Sequence, residues 1–169
     1  PAQGLGGAVF NLNGEFTAVG SIFRNSATSH ATSIYNLVFD KAERREAQAT
    51  LRNTIVAHTE GGAPEDVVAE LSATSVAGSG ADAGIGERDI VENATGLSGG
   101  TLTGTPLTDN PLLGDLADNG GLTQTMLPGE GSPALDAGSA FGLTTDQRSL
   151  CRPFDLPAVG NFGDATDIG

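Results

Sequence analysis

A short motif that returns along a chain constrains the fold strongly, because each copy must bury its apolar face against the next. "GGAVFN" (6–11) comes back as "TSIYN" (32–36): a small residue, an aliphatic, an aromatic and an asparagine, with Asn36 following Asn11 at a spacing of 25. "GSIFRNSA" (20–27) comes back as "NTIVAHTE" (53–60) at a spacing of 33, and the charged insert "DKAERREA" (40–47) takes up the difference. A fainter third copy runs through "GERDIVENATG" (86–96).

Each copy reads as short strands punctuated by Gly and Asn. In "GEFTAVGSIF", period-two alternation puts Phe16, Ala18 and Ile22 on one face and Thr17 and Ser21 on the other, with one slip near Gly20, where a bend is cheap. In "ATLRNTIVAH" the apolar candidates are Leu51, Ile55 and Ala57. Such short strands, with no strong hairpin signal, suit an all-β chain of stacked coils, a parallel β-helix. Each coil of roughly 20 to 30 residues adds two or three strands around an aliphatic column. Asn11 and Asn36 occupy corresponding places just after a strand, where a side-chain amide bonds the backbone of a bend. The insert, rich in Ala, Glu, Arg and Gln, is expected to form a helical turn or two. Its Lys41, Arg44 and Arg45 make either a solvated excursion or a docking loop.

Composition narrows the function. Twenty-one acidic residues against 8 basic ones give a net charge of -13, which repels nucleic acid and anionic membranes but leaves divalent cations as plausible partners. Charged residues are only 17% and glycines number 25, a balance that leans towards a secreted β-protein. Cys151 is the single cysteine, which excludes an internal disulfide and reads as a small buried hydrophobe. No apolar run approaches the ~18 residues of a membrane span. The opening "PAQGLGG" reads as a processed chain or a piece of something longer.

The segment "NPLLGDLADNGGLTQTMLPGEGSPALDAG" (110–138), followed by "TDQRSLCRPFD" (145–155) and a terminal "DATDIG", carries a resemblance. It is similar to the end of the bacterial surface β-helix proteins termed choice-of-anchor Q domain proteins, which close on a "DPLLGPLADNGGPT" run, a "GSPAIDAG" run and "TDQRG..RP". "GGAVFN" and "LRNTIVA" resemble their coil repeats. Asp115 and Leu122 stand where proline is usual, and Glu130 and Gly131 are extra. The resemblance implies a right-handed parallel β-helix in a secreted or surface-attached bacterial protein, and no characterised reaction. It divides the chain into coils over 1–105 and an irregular capping segment over 106–169. Leu112, Leu113, Leu116, Leu127 and Leu135 are then expected to plug the end of the column, and the final residues to fold back along the stack.

Right-handed β-helices also include polyuronate lyases, so catalysis has to be weighed. Proton abstraction beside a carboxylate needs a base and cationic neutralisation. Asp146 with Arg148, Arg152 and Asp155 is the nearest set, and it reads more readily as a salt-bridged strap. Glycoside hydrolysis needs two carboxylates at a defined separation. Asp115, Asp118, Asp136 and Asp146 qualify only by abundance. His30 and His58 sit in no catalytic motif, and the glycine runs make no phosphate loop. Calcium is the most credible ligand, with Asp118, Asn119, Asp136, Asp164 and Asp167 as oxygen donors in Gly-bent loops. The expectation is a non-enzymatic secreted or cell-surface module for adhesion, display or assembly, with no catalytic residues. A protein partner, or preceding coils, would meet its open N-terminal edge. Carbohydrate binding or lyase-like activity, or service as a subunit of a larger extracellular or membrane-attached complex, are the alternatives.

Overall fold

The structure, a computed structural model, describes residues 7–25, 33–58, 66–71, 77, 79–86, 88–97 and 99–169. Among the described residues it is all-β, with eleven strands and no helix. The strands are β1 (Val9–Leu12), β2 (Glu15–Val19), β3 (Ile22–Asn25), β4 (Ile34–Val38), β5 (Glu46–Arg52), β6 (Ile55–His58), β7 (Val67–Leu71), β8 (Gly80–Ile85), β9 (Ile90–Val91), β10 (Ala94–Leu97) and β11 (Thr101–Thr103). They form three sheets, ordered β1-β4-β7-β10, β2-β5-β8-β11 and β3-β6-β9, and every third strand returns to the same sheet. All pairings among these strands are parallel, and the register carries the sequence echoes directly: Asn11 lies beside Asn36, and Ile22 beside Ile55 beside Ile90.

One apolar column runs between the sheets. Ile34, Val67 and Ala69 reach it from the first sheet, Ala18, Ala49, Leu51, Ala83 and Ile85 from the second, and Val56 and Val91 from the third. Each Val, Leu or Ile side chain withdrawn from water here contributes roughly 1.5–3 kcal/mol, and each alanine methyl less. The column ends on half-buried Val9, Phe16 and Phe23 at one end and on Ala94 and Leu102 at the other. Phe16 and Phe23 meet edge-on, with ring centroids 6.2 Å apart.

Ile22 does not share a face with Phe16 and Ala18. It points out of the column, in a second cluster with Ile55, Ala57, Ile90, Ala134 and Ile168, while its neighbour Phe23 points in. The chain turns a corner at Gly20 (φ 53°), and its counterpart in the next round, Asn53 (φ 54°), repeats the left-handed backbone. That corner resets the alternation. The third sheet is therefore apolar on both faces, which is why "SIF", "TIV" and "DIV" read as continuous apolar pairs and not as alternation.

Residues 106–169 cover the outer face of this sheet. Leu107 first extends it: its N–H donates to Asp89 O and its carbonyl accepts from Val91 N–H, both at 2.9 Å. Leu113, Ala134, Ala137 and Ile168 then pack on the isoleucine row. The leucines expected to plug the column are not in it. Leu113 lies against the outer row, Leu135 is half-buried, and Leu112, Leu116 and Leu127 are exposed. The outward isoleucines needed the cover more than the column's end did, so the segment lies alongside the strands. The final residues do return to the stack, with Gly169 N–H donating to Asn53 O at 3.0 Å.

The charged insert is not helical. Residues 40–45 form a bend in which Asp40 Oδ1 accepts the amides of Ala42 (2.8 Å) and Glu43 (3.1 Å), and Asp40 Oδ2 pairs with Arg45 Nε at 2.9 Å. From Glu46 on, the sequence is strand β5, because burying Ala47, Ala49 and Leu51 on alternate positions outweighs a helical propensity of tenths of a kcal/mol per residue. Asn11 and Asn36 lie inside β1 and β4, not after them. They form an inward ladder: Asn11 Nδ2 donates to Asn36 Oδ1 (2.6 Å) and Gly14 O (2.8 Å), and Asn36 Nδ2 to Ala47 O (3.0 Å) and Asp82 O (2.8 Å).

Candidate functional site

Between β3 and the C-terminal segment lies a cleft of about 850 Å³. Gly20–Phe23 line one side, and the other is lined by residues from Leu116, Gln124–Pro128, Asp146–Phe154 and Thr166–Gly169. The loop at 144–152 is closed by backbone bonds, Asp146 N–H to Leu150 O and Arg152 N–H to Thr144 O, both 2.9 Å. Asp146 organises it from within. Its Oδ1 accepts the amides of Arg148 (2.8 Å) and Leu150 (2.9 Å), and its Oδ2 takes Arg148 Nε (2.8 Å) and Nη2 (2.7 Å). Burial opposes ionisation of Asp146, but these donors outweigh it and hold the carboxyl below its usual range.

Arg152 closes the floor. Its Nη2 donates to Asp167 O and Gly169 O, both at 2.8 Å, fixing the returning segment. Burial pushes its guanidinium down from the usual value, against the pull of Asp146, Asp167 and Asp164. The cleft thus gathers Asp146, Arg148, Arg152 and Asp167, whereas Asp155 is exposed and outside its lining. Of the strap expected from "TDQRSLCRPFD", Asp146 and Arg148 pair with each other and with the loop, whereas Arg152 bonds backbone carbonyls and Asp155 lies apart. Cys151 is exposed and lines the cleft, contrary to the buried hydrophobe expected, because the Thr145–Cys151 bridge carries it to the loop's surface.

The calcium candidates do not converge as a set. Asp118 is exposed in its own loop, with Oδ1 accepting Gly120 N–H at 3.2 Å, and Asn119 Nδ2 donates to Thr125 O at 2.8 Å. Asp136, Asp164 and Asp167 brace the C-terminal segment. Asp136 is fully buried and its Oδ2 accepts Leu156 N–H at 3.1 Å. Asp167 Oδ1 accepts Asp136 N–H at 2.8 Å, and Asp164 Oδ2 accepts Ala140 N–H at 3.0 Å. Burial raises the Asp167 carboxyl, and the Ala140 amide leads the contacts that lower Asp164. Among the described residues, no group of three or more His, Cys, Asp or Glu is arranged to hold a metal ion. His58 closes β6 and Asp115 is exposed; the His58 side chain, like His30, lies outside the described residues.

Two further groups escaped the sequence reading. Asn53, fully buried at its corner, latches the C-terminal segment: its Nδ2 donates to Asp167 O (2.9 Å) and its Oδ1 accepts Ser139 N–H (2.8 Å). A Cβ on Gly138 would collide with that Oδ1, so the latch needs glycine there. Asp89, also fully buried, accepts the amides of Thr54 (2.7 Å) and Gly86 (2.6 Å) and ties adjacent rounds at the same corner. Burial pushes its carboxyl up to about 6, against the pull of the two amides. The only signal was positional: both flank the repeated aliphatic pair.

No protein-family model, curated protein or solved structure matches this chain. Among the described residues, no helix is long and apolar enough to cross a membrane.

Proposed function

We propose that the chain is a right-handed parallel β-helix with an irregular C-terminal capping segment. Its role is that of a non-enzymatic module of a secreted or cell-surface bacterial protein, in adhesion, display or assembly. One observation carries this reading: β1, β2 and β3 are all terminal strands of their sheets and lie at the same end, where Val9, Phe16 and Phe23 leave the column half-open. Parallel strands returning to the same sheet favour the right-handed connection. An open end of this kind is an aggregation liability unless further rounds or a partner cover it. The resemblance to choice-of-anchor Q domain proteins supplies the surface location.

The test is to add a round. A chain with residues 33–65 copied ahead of Ala8 should unfold in one transition, with a higher stability and a steeper urea dependence than the parent. An added round that stays protease-sensitive and brings no stability would overturn the reading.

The cleft favours a second reading, that of a carbohydrate-binding module, since it gathers Arg148, Arg152 and Asp146 beside apolar walls. Saturable binding of oligouronates, lost in Arg152→Ala, would support it. Release of unsaturated uronates would extend it to a lyase.

A further inference from the structure

We propose that Asn119 modifies itself: its side chain closes on the amide of Gly120, loses ammonia and opens with water to aspartate and isoaspartate. The inference stands apart from the assembly and carbohydrate readings above.

The sequence holds the step Asn-Gly twice, at 13–14 and at 119–120. Glycine matters because it leaves the following amide nitrogen without a side chain beside it. That nitrogen can then close a small cyclic imide on the asparagine Cγ. The structure separates the two steps. Asn13 is clamped at both ends of its carboxamide: Nδ2 donates to Phe39 O and Oδ1 accepts Phe39 N–H, each at 2.9 Å. Its Cγ cannot turn onto Gly14 N without giving up that pair, which costs roughly tenfold in rate.

At Asn119 only the departing atom is held. Nδ2 donates to Thr125 O at 2.8 Å and to Thr125 Oγ1 at 3.2 Å, and among the described residues Oδ1 has no partner. Those acceptors still serve the nitrogen as it leaves as ammonia. The nucleophile is prepared as well. Gly120 N–H points at a carboxylate oxygen, Asp118 Oδ1, at 3.2 Å, within reach of a general base. Gly120 is exposed, and a Cβ there would meet nothing within 4 Å, so water reaches the imide.

Gly120 N bonds to Cγ as Asp118 takes its proton. The Cγ–Nδ2 bond breaks, and the nitrogen leaves as ammonia with that proton. One water then opens the imide, giving aspartate if the new bond to Cγ is cleaved and isoaspartate if the original peptide bond is. Isoaspartate adds a methylene to the main chain of a loop packed on the cleft wall. Gln147 Nε2 donates to Thr123 Oγ1 at 2.7 Å, and a Cβ on Gly121 would stand 2.7 Å from Arg148 Cα. Both products also lose the Asn119 donor to Thr125, so the modification loosens this loop from residues 147–148.

Peptide mapping of the full chain, aged in mildly alkaline buffer, follows the replacement of NH2 by OH at both sites, folded and in guanidinium chloride. Asn119 should convert in the folded chain at least as fast as in the unfolded one, while folding slows Asn13 about tenfold. Asp118→Asn keeps an acceptor for Gly120 N–H but removes the base, and should slow Asn119 about tenfold or more in the folded chain. Protection of Asn119 by folding overturns the proposal. So does conversion of Asn13 as fast as Asn119 in the folded chain, or an Asp118→Asn rate equal to the parent's.

Discussion

Replacing Asp89 by alanine tests the corner that joins successive rounds. The carboxylate is withdrawn from water and accepts two backbone amides, from Thr54 and Gly86. Deleting it leaves two buried donors without acceptors, each costing about 1–3 kcal/mol. Against this, removing a carboxyl that burial has pushed from 3.8 to about 6 returns roughly 3 kcal/mol at neutral pH, at 1.36 kcal/mol per unit. The net effect at pH 7 is then small, between a gain of about 1 and a loss of about 3 kcal/mol. The pH dependence discriminates more sharply. A folded pKa above the unfolded value means that the folded state holds more protons between about pH 4 and 6, so stability falls as pH rises through that window. From pH 7 to pH 5 the parent should gain a little over 1 kcal/mol from this group, about half of the full effect. Asp89→Ala forgoes that gain, so its deficit should widen on acidification. Urea unfolding of both proteins at the two pH values measures this directly, and the difference between them cancels other titrations. A deficit that shrinks at pH 5 would show that the amides dominate burial, and would refute the argument.

Three other substitutions probe the remaining structure. Ile55→Ala empties the middle of the outward row, where Ile55 is fully buried, and should cost about 2–5 kcal/mol in chemical unfolding; a loss below about 1 would mean that the C-terminal segment does not cover that face. Asn53→Gly removes the latch but keeps the left-handed corner, whereas Asn53→Ala loses both, so alanine should be the worse by about 1–2 kcal/mol in thermal unfolding. Asn36→Leu strips buried partners from Ala47 O and Asp82 O and should lower stability by about 2 kcal/mol or more despite added apolar volume, as urea midpoints would report.

The strand rounds were legible because a repeat must pair with itself. Asn11 with Asn36 and Ile22 with Ile55 could be aligned from spacing alone, and the register agrees. Which side each residue faces was not legible across the corners. Gly20 and Asn53 reset the alternation, and nothing local distinguishes a bend that preserves the face from one that inverts it. The insert shows the same limit: a helix-favouring run became strand β5 because Ala49 and Leu51 had a column to enter and Ala47 a buried place beside Val38 and Ala81. In the site, the pairing within "TDQRSLCR" was readable, since Asp146 and Arg148 are too close in sequence to avoid each other. Its position was not. The cleft exists because Leu113, Ala134 and Ile168 lie against isoleucines from three separate rounds, contacts between residues far apart in the chain. The sequence by itself determined that the chain is all-β and which short segments pair in parallel, because repeated segments carry the same local burial pattern. Only the tertiary structure decided where residues 106–169 lie, because an irregular segment has no period and is placed by the apolar face that most needs cover.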